Sequence, residues 1–168
     1  DYHGKARISS IDTKNLLMDI SSNITPVITG FQGINEEGDV TTLGRGGSDT
    51  SAVALAVALN AEECQIYTDV NGVYTTDPNV YENAKKIDKL TFEEMLELSS
   101  LGAKVLQIRS VEFASKYNMP IRVKSSFTNE EGTLINGDEN MEDALISGVT
   151  NTNDEAKLTI RKVPDIPG

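Results

Sequence analysis

Residues 41–59 read TTLGRGGSDTSAVALAVAL, and this stretch decides the fold. Its first half is polar and carries Gly44, Gly46 and Gly47, while residues 52–59 are Ala, Val and Leu alone. Alanine dominates that run, which favours helix over strand, and the lack of a polar face implies burial on most sides. A glycine-rich loop that opens a buried helix presents free backbone N–H groups and the positive end of the helix dipole, so an anion is expected there. No Gly-Lys-Ser/Thr follows, so the loop is not a Walker A motif, and Asp49 stands where the dinucleotide fingerprint needs its third glycine. Arg45 offers a planar fork suited to a carboxylate or a phosphate. It also reads as half of a surface ion pair. Ser48 reads as a ligand contact or as a plain N-cap. Asp49 reads as complement to the dipole, or as the group that orients a cation such as Lys or Mg²⁺.

Upstream, residues 12–22 carry Leu16, Leu17 and Ile20 at helical spacing, with Asp12 or Ser10 as N-cap. Residues 25–29 read as a short strand with Pro26 near its start, and residues 30–39 as a loop turning at Glu36-Glu37-Gly38. Downstream, residues 63–68 read as a strand. A loop follows, in which Asn71-Gly72 and Asp77-Pro78 flank Val73–Thr75 as turn signals. Residues 86–90 predict a short strand, and Thr91 caps a helix with Glu93 and Glu94 in its first turn. Gly102 separates that helix from another over residues 103–117, and residues 121–125 alternate like a strand. Residues 129–143 are acidic and linker-like, and residues 146–163 hold two strand-like runs. Strands alternating with helices through residue 125 predict an α/β fold with a largely parallel sheet.

Thr68 and Asp69 close the strand over residues 63–68, where open α/β sheets place ligand-contacting groups. Lys104 opens a predicted helix, where a cation opposes the dipole. It reads either as a solvated lysine or as a group serving a nearby anion.

The whole chain of 168 residues suits one domain, or one with a fragment of a second. Its formal charge of −11 argues against a nucleic-acid or anionic-membrane partner, because phosphates would meet repulsion. No apolar run approaches the roughly 20 residues of a membrane span. Cys64 is the one cysteine, which precludes an internal disulfide and a cysteine-rich metal site and points to a reduced, cytoplasmic compartment. His3 is the one imidazole. The chain opens at Asp1 without a signal-peptide pattern, and residues 164–168 read as a turn with nothing after it, so a fragment of a longer protein is expected.

Five stretches, in this order, carry a resemblance. They are Gly30-Phe-Gln-Gly33, Thr42-Leu-Gly-Arg-Gly-Gly-Ser-Asp49, Tyr67-Thr-Asp-Val-Asn-Gly-Val-Tyr-Thr-Thr-Asp-Pro78, Glu94-Met-Leu-Glu97 and Gly102-Ala-Lys-Val-Leu-Gln107. Together they resemble the aspartokinases, enzymes of the amino acid kinase fold that phosphorylate L-aspartate with ATP. The resemblance implies an incomplete amino acid kinase-like α/β fold over residues 1–128, with a mainly parallel sheet between helices. It implies a linker over residues 129–144 and the first strands of an α+β ACT regulatory domain over residues 145–168. It implies that Arg45, Gly46, Gly47 and Ser48 bind aspartate and that Asp49 organises the lysines facing the transferring phosphoryl. Thr68, Asp69, Tyr74, Asn79, Lys104 and Val105 would contact the nucleotide, with Lys104 neutralising phosphate charge in the transition state. No residue is assigned to a metal, and Mg²⁺ would arrive on the ATP. The product would be 4-phospho-L-aspartate, in the first step toward lysine, threonine and methionine, with lysine and/or threonine as feedback ligands of the full-length protein. A homo-oligomer or paired subunits is implied for the full-length protein.

Two departures stand out. Asn79 occupies the place where the family usually has Arg, and the family's N-terminal Lys-Phe-Gly-Gly is absent, so this chain alone is not expected to be a competent kinase. A non-catalytic amino-acid or nucleotide sensor on the same fold is the alternative. Another kinase of this fold is a third reading, against which the Gly-Gly-Ser-Asp string with Arg45 argues.

Overall fold

A computed structural model describes residues 6–103, 105–137 and 147–150. In chain order these form α1 (Lys14–Ser21), β1 (Gln32–Ile34), β2 (Val40–Thr42), α2 (Gly47–Ala58), β3 (Cys64–Thr68), β4 (Lys89–Thr91), α3 (Phe92–Ser100), α4 (Ile108–Tyr117), β5 (Ile121–Ser125) and β6 (Thr133–Asn136). The central sheet runs β3-β5-β6-β4. Strands β3 and β5 pair parallel, as do β4 and β6, while β5 and β6 pair antiparallel. The expectation of an α/β fold with a mainly parallel sheet is met.

Alternation in β5 puts Ile121, Val123 and Ser125 into the core. There they join Ile135 of β6, Val53 and Ala56 of α2, Met95 of α3, and Val111 and Ala114 of α4. Helix α2 has no polar stripe because it is covered broadly: Val53, Ala54 and Ala56 are buried, and the helix packs against α4, β3 and β1. It begins five residues before the alanine run expected for it, at Gly47, because Gly46 takes a left-handed φ of 72° that turns the chain into the helix. Leu59 caps its end and Asn60 follows at φ 51°. Helix α3 starts with a full capping box, in which the Thr91 hydroxyl accepts from the Glu94 N–H and the Glu94 carboxylate accepts from the Thr91 N–H.

Several expectations are corrected. Residues 25–29 form no strand; among the described residues they have no ladder partner, and Val27 is 97% exposed. Residues 30–39 are not all loop, because β1 and β2 pair antiparallel around the turn that ends at Gly38 (φ 89°). The helix expected from residue 103 begins at Ile108, since buried Leu106 anchors the intervening segment and extended Gln107 caps α4. Helix α1 is capped by Thr13, without a side-chain bond, rather than by Asp12 or Ser10. The linker expected over residues 129–144 contains β6, which fills the place between β5 and β4. Residues 147–150 have no regular structure, and the rest of the expected ACT region, residues 145–146 and 151–168, lies outside the described residues.

Apolar side chains at Leu17, Met18, Ile20, Ile24, Ile28, Ile34 and Val40 are exposed, so residues 6–40 bury little of their hydrophobic surface among the described residues.

Candidate functional site

The glycine-rich loop leaves β2 at Thr42 and enters α2 at Gly47. Gly44 and Gly46 hold φ of 79° and 72°, and the Gly47 N–H donates to the Gly44 carbonyl at 2.9 Å. A Cβ on Gly47 would lie 2.8 Å from Leu43 Cβ, so the tight turn itself selects glycine. The Thr50 hydroxyl donates back to the Gly46 carbonyl at 3.0 Å. The Ser51 hydroxyl donates to the Ser48 carbonyl at 2.8 Å and accepts from the Phe31 N–H at 3.2 Å. These bonds leave Arg45 and Ser48 exposed at the rim. Arg45 makes no hydrogen bond or ion pair with another of the described residues. Ser48 does not act as a side-chain N-cap; its hydroxyl reaches Asp49 Oδ1 at 3.5 Å.

A second feature is a cleft of about 510 Å³ beyond the end of β3. Thr68, Asp69, Tyr74, Asn79 and Val105 all line it, with Val73, Val80 and Leu98 supplying apolar wall. Its position at the carboxyl end of a parallel strand and its size suit a nucleotide. The loop forming its floor is held by one buried hydroxyl. Thr133 Oγ1 accepts from the Val73 N–H at 2.8 Å and donates to the Ile87 carbonyl at 2.5 Å. The Ile87 N–H donates to the Val73 carbonyl at 2.8 Å, and Tyr74 bridges to Lys86. Asn79 is turned onto Asp77 Oδ1 by its N–H at 2.8 Å and its side-chain amide at 3.0 Å.

The segment between Val105 and Gln107 touches both features. Val105 lines the cleft, and two residues on the Gln107 side chain lies against Gly46, where a Cβ would meet Gln107 Cγ at 2.0 Å. The Gln107 N–H also faces the Asp49 carboxylate. Burial pushes the Asp49 carboxyl above its ordinary pKa, although the Gln107 N–H and the Ser48 hydroxyl both act to lower it. Burial, with the nearby charges of Asp49 and Glu63, raises the Cys64 thiol to about 11, so Cys64 is an inert core group.

Lys104 lies outside the described residues. Its chain neighbours Ala103 and Val105 both line the cleft. The sequence reading missed Thr133, Gln107 and the stretch 147–150. Thr133 lies in the stretch read as a linker, and the Thr-Leu-Ile-Asn sequence of β6 gives no alternation that marks Thr133 and Ile135 as buried. Val149 and Thr150 line the cleft; the Val149 N–H donates to the Thr75 carbonyl at 2.7 Å, and the Ser147 hydroxyl bonds to the Glu94 carboxylate.

One short segment thus borders both the glycine-rich loop that opens α2 and the cleft beyond the end of β3. The chain belongs to the amino acid kinase family, whose family model matches residues 2–125. Among its relatives, the aspartate kinase of Pseudomonas putida is 61% identical over 168 residues, covering 99% of this chain and 41% of that protein. The aspartokinase of Corynebacterium glutamicum is 51% identical over 172 residues, again across 41% of its length. The chain thus spans about two fifths of the relatives it matches. Among solved structures, Escherichia coli aspartokinase III in complex with aspartate and ADP superposes with a TM-score of 0.68 at 42% identity, over 76% of this chain and 29% of that one. The aspartate kinase of Clostridium acetobutylicum gives a TM-score of 0.68 at 34% identity, over 79% of this chain and 31% of that one.

Proposed function

We propose that this chain is the C-terminal part of an aspartate kinase catalytic domain, contributing the aspartate loop and most of the nucleotide cleft. The observation that carries the reading is the Val105–Gln107 segment, which borders the cleft at one end and the glycine loop at the other. A donor nucleotide and an acceptor carboxylate held on the two sides of one short segment is what phosphoryl transfer asks for. The E. coli relative was solved with aspartate and ADP, and the same pair of ligands is assigned here.

In the reaction, an oxygen of the aspartate β-carboxylate attacks the ATP γ-phosphorus, the bond to the β,γ-bridging oxygen breaks, and ADP leaves. Arg45 and the loop N–H groups hold the substrate carboxylate. Ser48 completes that contact, and Asp49 orients the cations that face the transferring group. Thr68, Asp69, Tyr74 and Asn79 form the nucleotide contacts, with Asn79 giving a neutral amide in place of a guanidinium. Lys104, between two cleft-lining residues in sequence, steadies the phosphates. Mg²⁺ would arrive with the nucleotide and take most of its ligands from phosphate oxygens. When bound, Mg²⁺ supplies further neutralisation of phosphate charge.

The feedback reading extends from the relatives. E. coli aspartokinase III has also been solved with lysine and aspartate, and lysine, with threonine, is the regulatory ligand we assign to the region that follows residue 145. Lysine, threonine and methionine synthesis, a cytoplasmic location and an oligomeric full-length enzyme belong to the same proposal.

The test is acyl-phosphate formation by the full-length protein, trapped with hydroxylamine. L-aspartate with ATP yields the hydroxamate, and L-glutamate or UMP does not. No hydroxamate from aspartate overturns the assignment.

A further inference from the structure

Arg109 is the second residue of α4, a position where a cation works against the helix dipole. Its guanidinium turns away from its own helix to two backbone carbonyls distant in sequence. Nη1 donates to the Leu43 carbonyl at 2.9 Å and Nη2 to the Ala6 carbonyl at 2.6 Å. Leu43 is buried, and its N–H donates to the Phe31 carbonyl at 2.9 Å. It is the last residue held on both sides before the glycines begin. The Leu43 carbonyl and the Gly44 N–H belong to one planar peptide group, so fixing the oxygen also fixes the direction of the hydrogen. Gly44 and Gly46 have no Cβ to restrict them, and a loop of this kind needs its orientation imposed from outside.

We propose that Arg109 is the positioning residue of the glycine-rich loop, setting the peptide plane from which the ligand-binding amides follow. It touches no substrate. It ties the loop to the start of α4, so the loop keeps a fixed relation to Gln107 and to the cleft residue Val105. Arginine suits this task because one rigid fork reaches two separated oxygens, whereas lysine offers one nitrogen. The inference rests on the reading of the loop as the aspartate site.

The test uses the full-length protein with Arg109→Lys and Arg109→Ala, and Arg45→Ala as reference. Hydrogen exchange of the amides of residues 41–50 is compared with that of residues 121–125. For Arg109→Lys, which keeps the charge and serves where Arg109→Ala fails to fold, loop exchange accelerates about tenfold while residues 121–125 are unchanged. Aspartate KM rises about tenfold, and ATP KM stays within about twofold. Unaltered loop exchange overturns the proposal, as does faster exchange with both KM values unmoved while Arg45→Ala still raises aspartate KM. If Arg45→Ala leaves aspartate KM unmoved, the substrate reading fails instead, and loop exchange alone decides the role of Arg109.

Discussion

The backbone N–H of Gln107 faces the Asp49 carboxylate and favours its charged form, so the first turn of α2 meets the residue that caps α4. Burial nonetheless keeps the Asp49 pKa above its ordinary value. A carboxyl with a raised folded pKa favours the folded state most at acid pH, and that contribution is lost as pH rises through the raised value. At neutral pH its charge therefore works against folding. Asp49→Asn keeps an oxygen for the Gln107 N–H and removes the charge. The thermal midpoint of that variant at pH 7 is expected to hold or rise, while kcat of the full-length enzyme falls roughly a hundredfold. A midpoint several degrees lower would show that Asp49 is there for stability.

Arg45 is exposed and without an ion pair among the described residues, so its removal breaks no hydrogen bond or ion pair among them. Arg45→Ala is expected to raise aspartate KM by an amount equivalent to about 2 kcal/mol, roughly thirtyfold, with little effect on ATP KM or on unfolding. Steady-state kinetics with each substrate varied in turn decides it; equal rises in both KM values would place Arg45 elsewhere.

Thr133 is fully buried and serves two backbone groups with one hydroxyl. Thr133→Val preserves shape and β-branching but strands the Val73 N–H and the Ile87 carbonyl. The loss expected in chemical denaturation is about 2–4 kcal/mol, with weaker ATP binding by titration calorimetry because the loop bearing Tyr74 loosens. Unchanged stability would mean that water replaces the hydroxyl.

Glu94 is pushed up by burial, but bonds from the Ser147 hydroxyl, the Thr91 N–H and the Thr91 hydroxyl outweigh this and hold its pKa below the usual glutamate value. Its contribution to stability is therefore present above the ordinary glutamate pKa and is lost as pH falls through the lowered one. Glu94→Gln is expected to be less stable than the parent at pH 7, with the gap closing below that transition. Thr91→Ala should cost about 1 kcal/mol through loss of the cap. A gap between parent and Glu94→Gln that is flat across pH 3–7, followed by urea denaturation on a scale of about 1 kcal/mol, would exclude this role for the carboxylate.

Elements defined by local chemistry were legible in the sequence. The alanine-rich α2, the alternating β5, the capping box at Thr91 and the turn at Gly38 each follow from neighbours within a few residues, where side-chain period, caps and positive φ act directly. The start of α4 was misplaced because nothing local marks Leu106 as buried, and residues 25–29 were read as a strand because propensity is visible while a missing ladder partner is not. In the candidate site, Arg45, Ser48 and Asp49 stood out through the glycines around them. Thr68 and Asp69 stood out at a strand end, whereas Tyr74, Asn79 and Val105 entered only through resemblance to a family.

What the sequence determined by itself was thus the set of helices and strands with short-range signals, and the chemistry offered at one loop. Only the tertiary structure decided that β6 enters the sheet between β5 and β4, that Thr133 holds the Val73 loop from 60 residues away, and that Arg109 clamps Leu43 from 66. The reason is physical. A hydrogen bond or a packed contact between distant segments depends on where the intervening chain brings them, and its donor and acceptor carry no mark in sequence until the fold has placed them side by side.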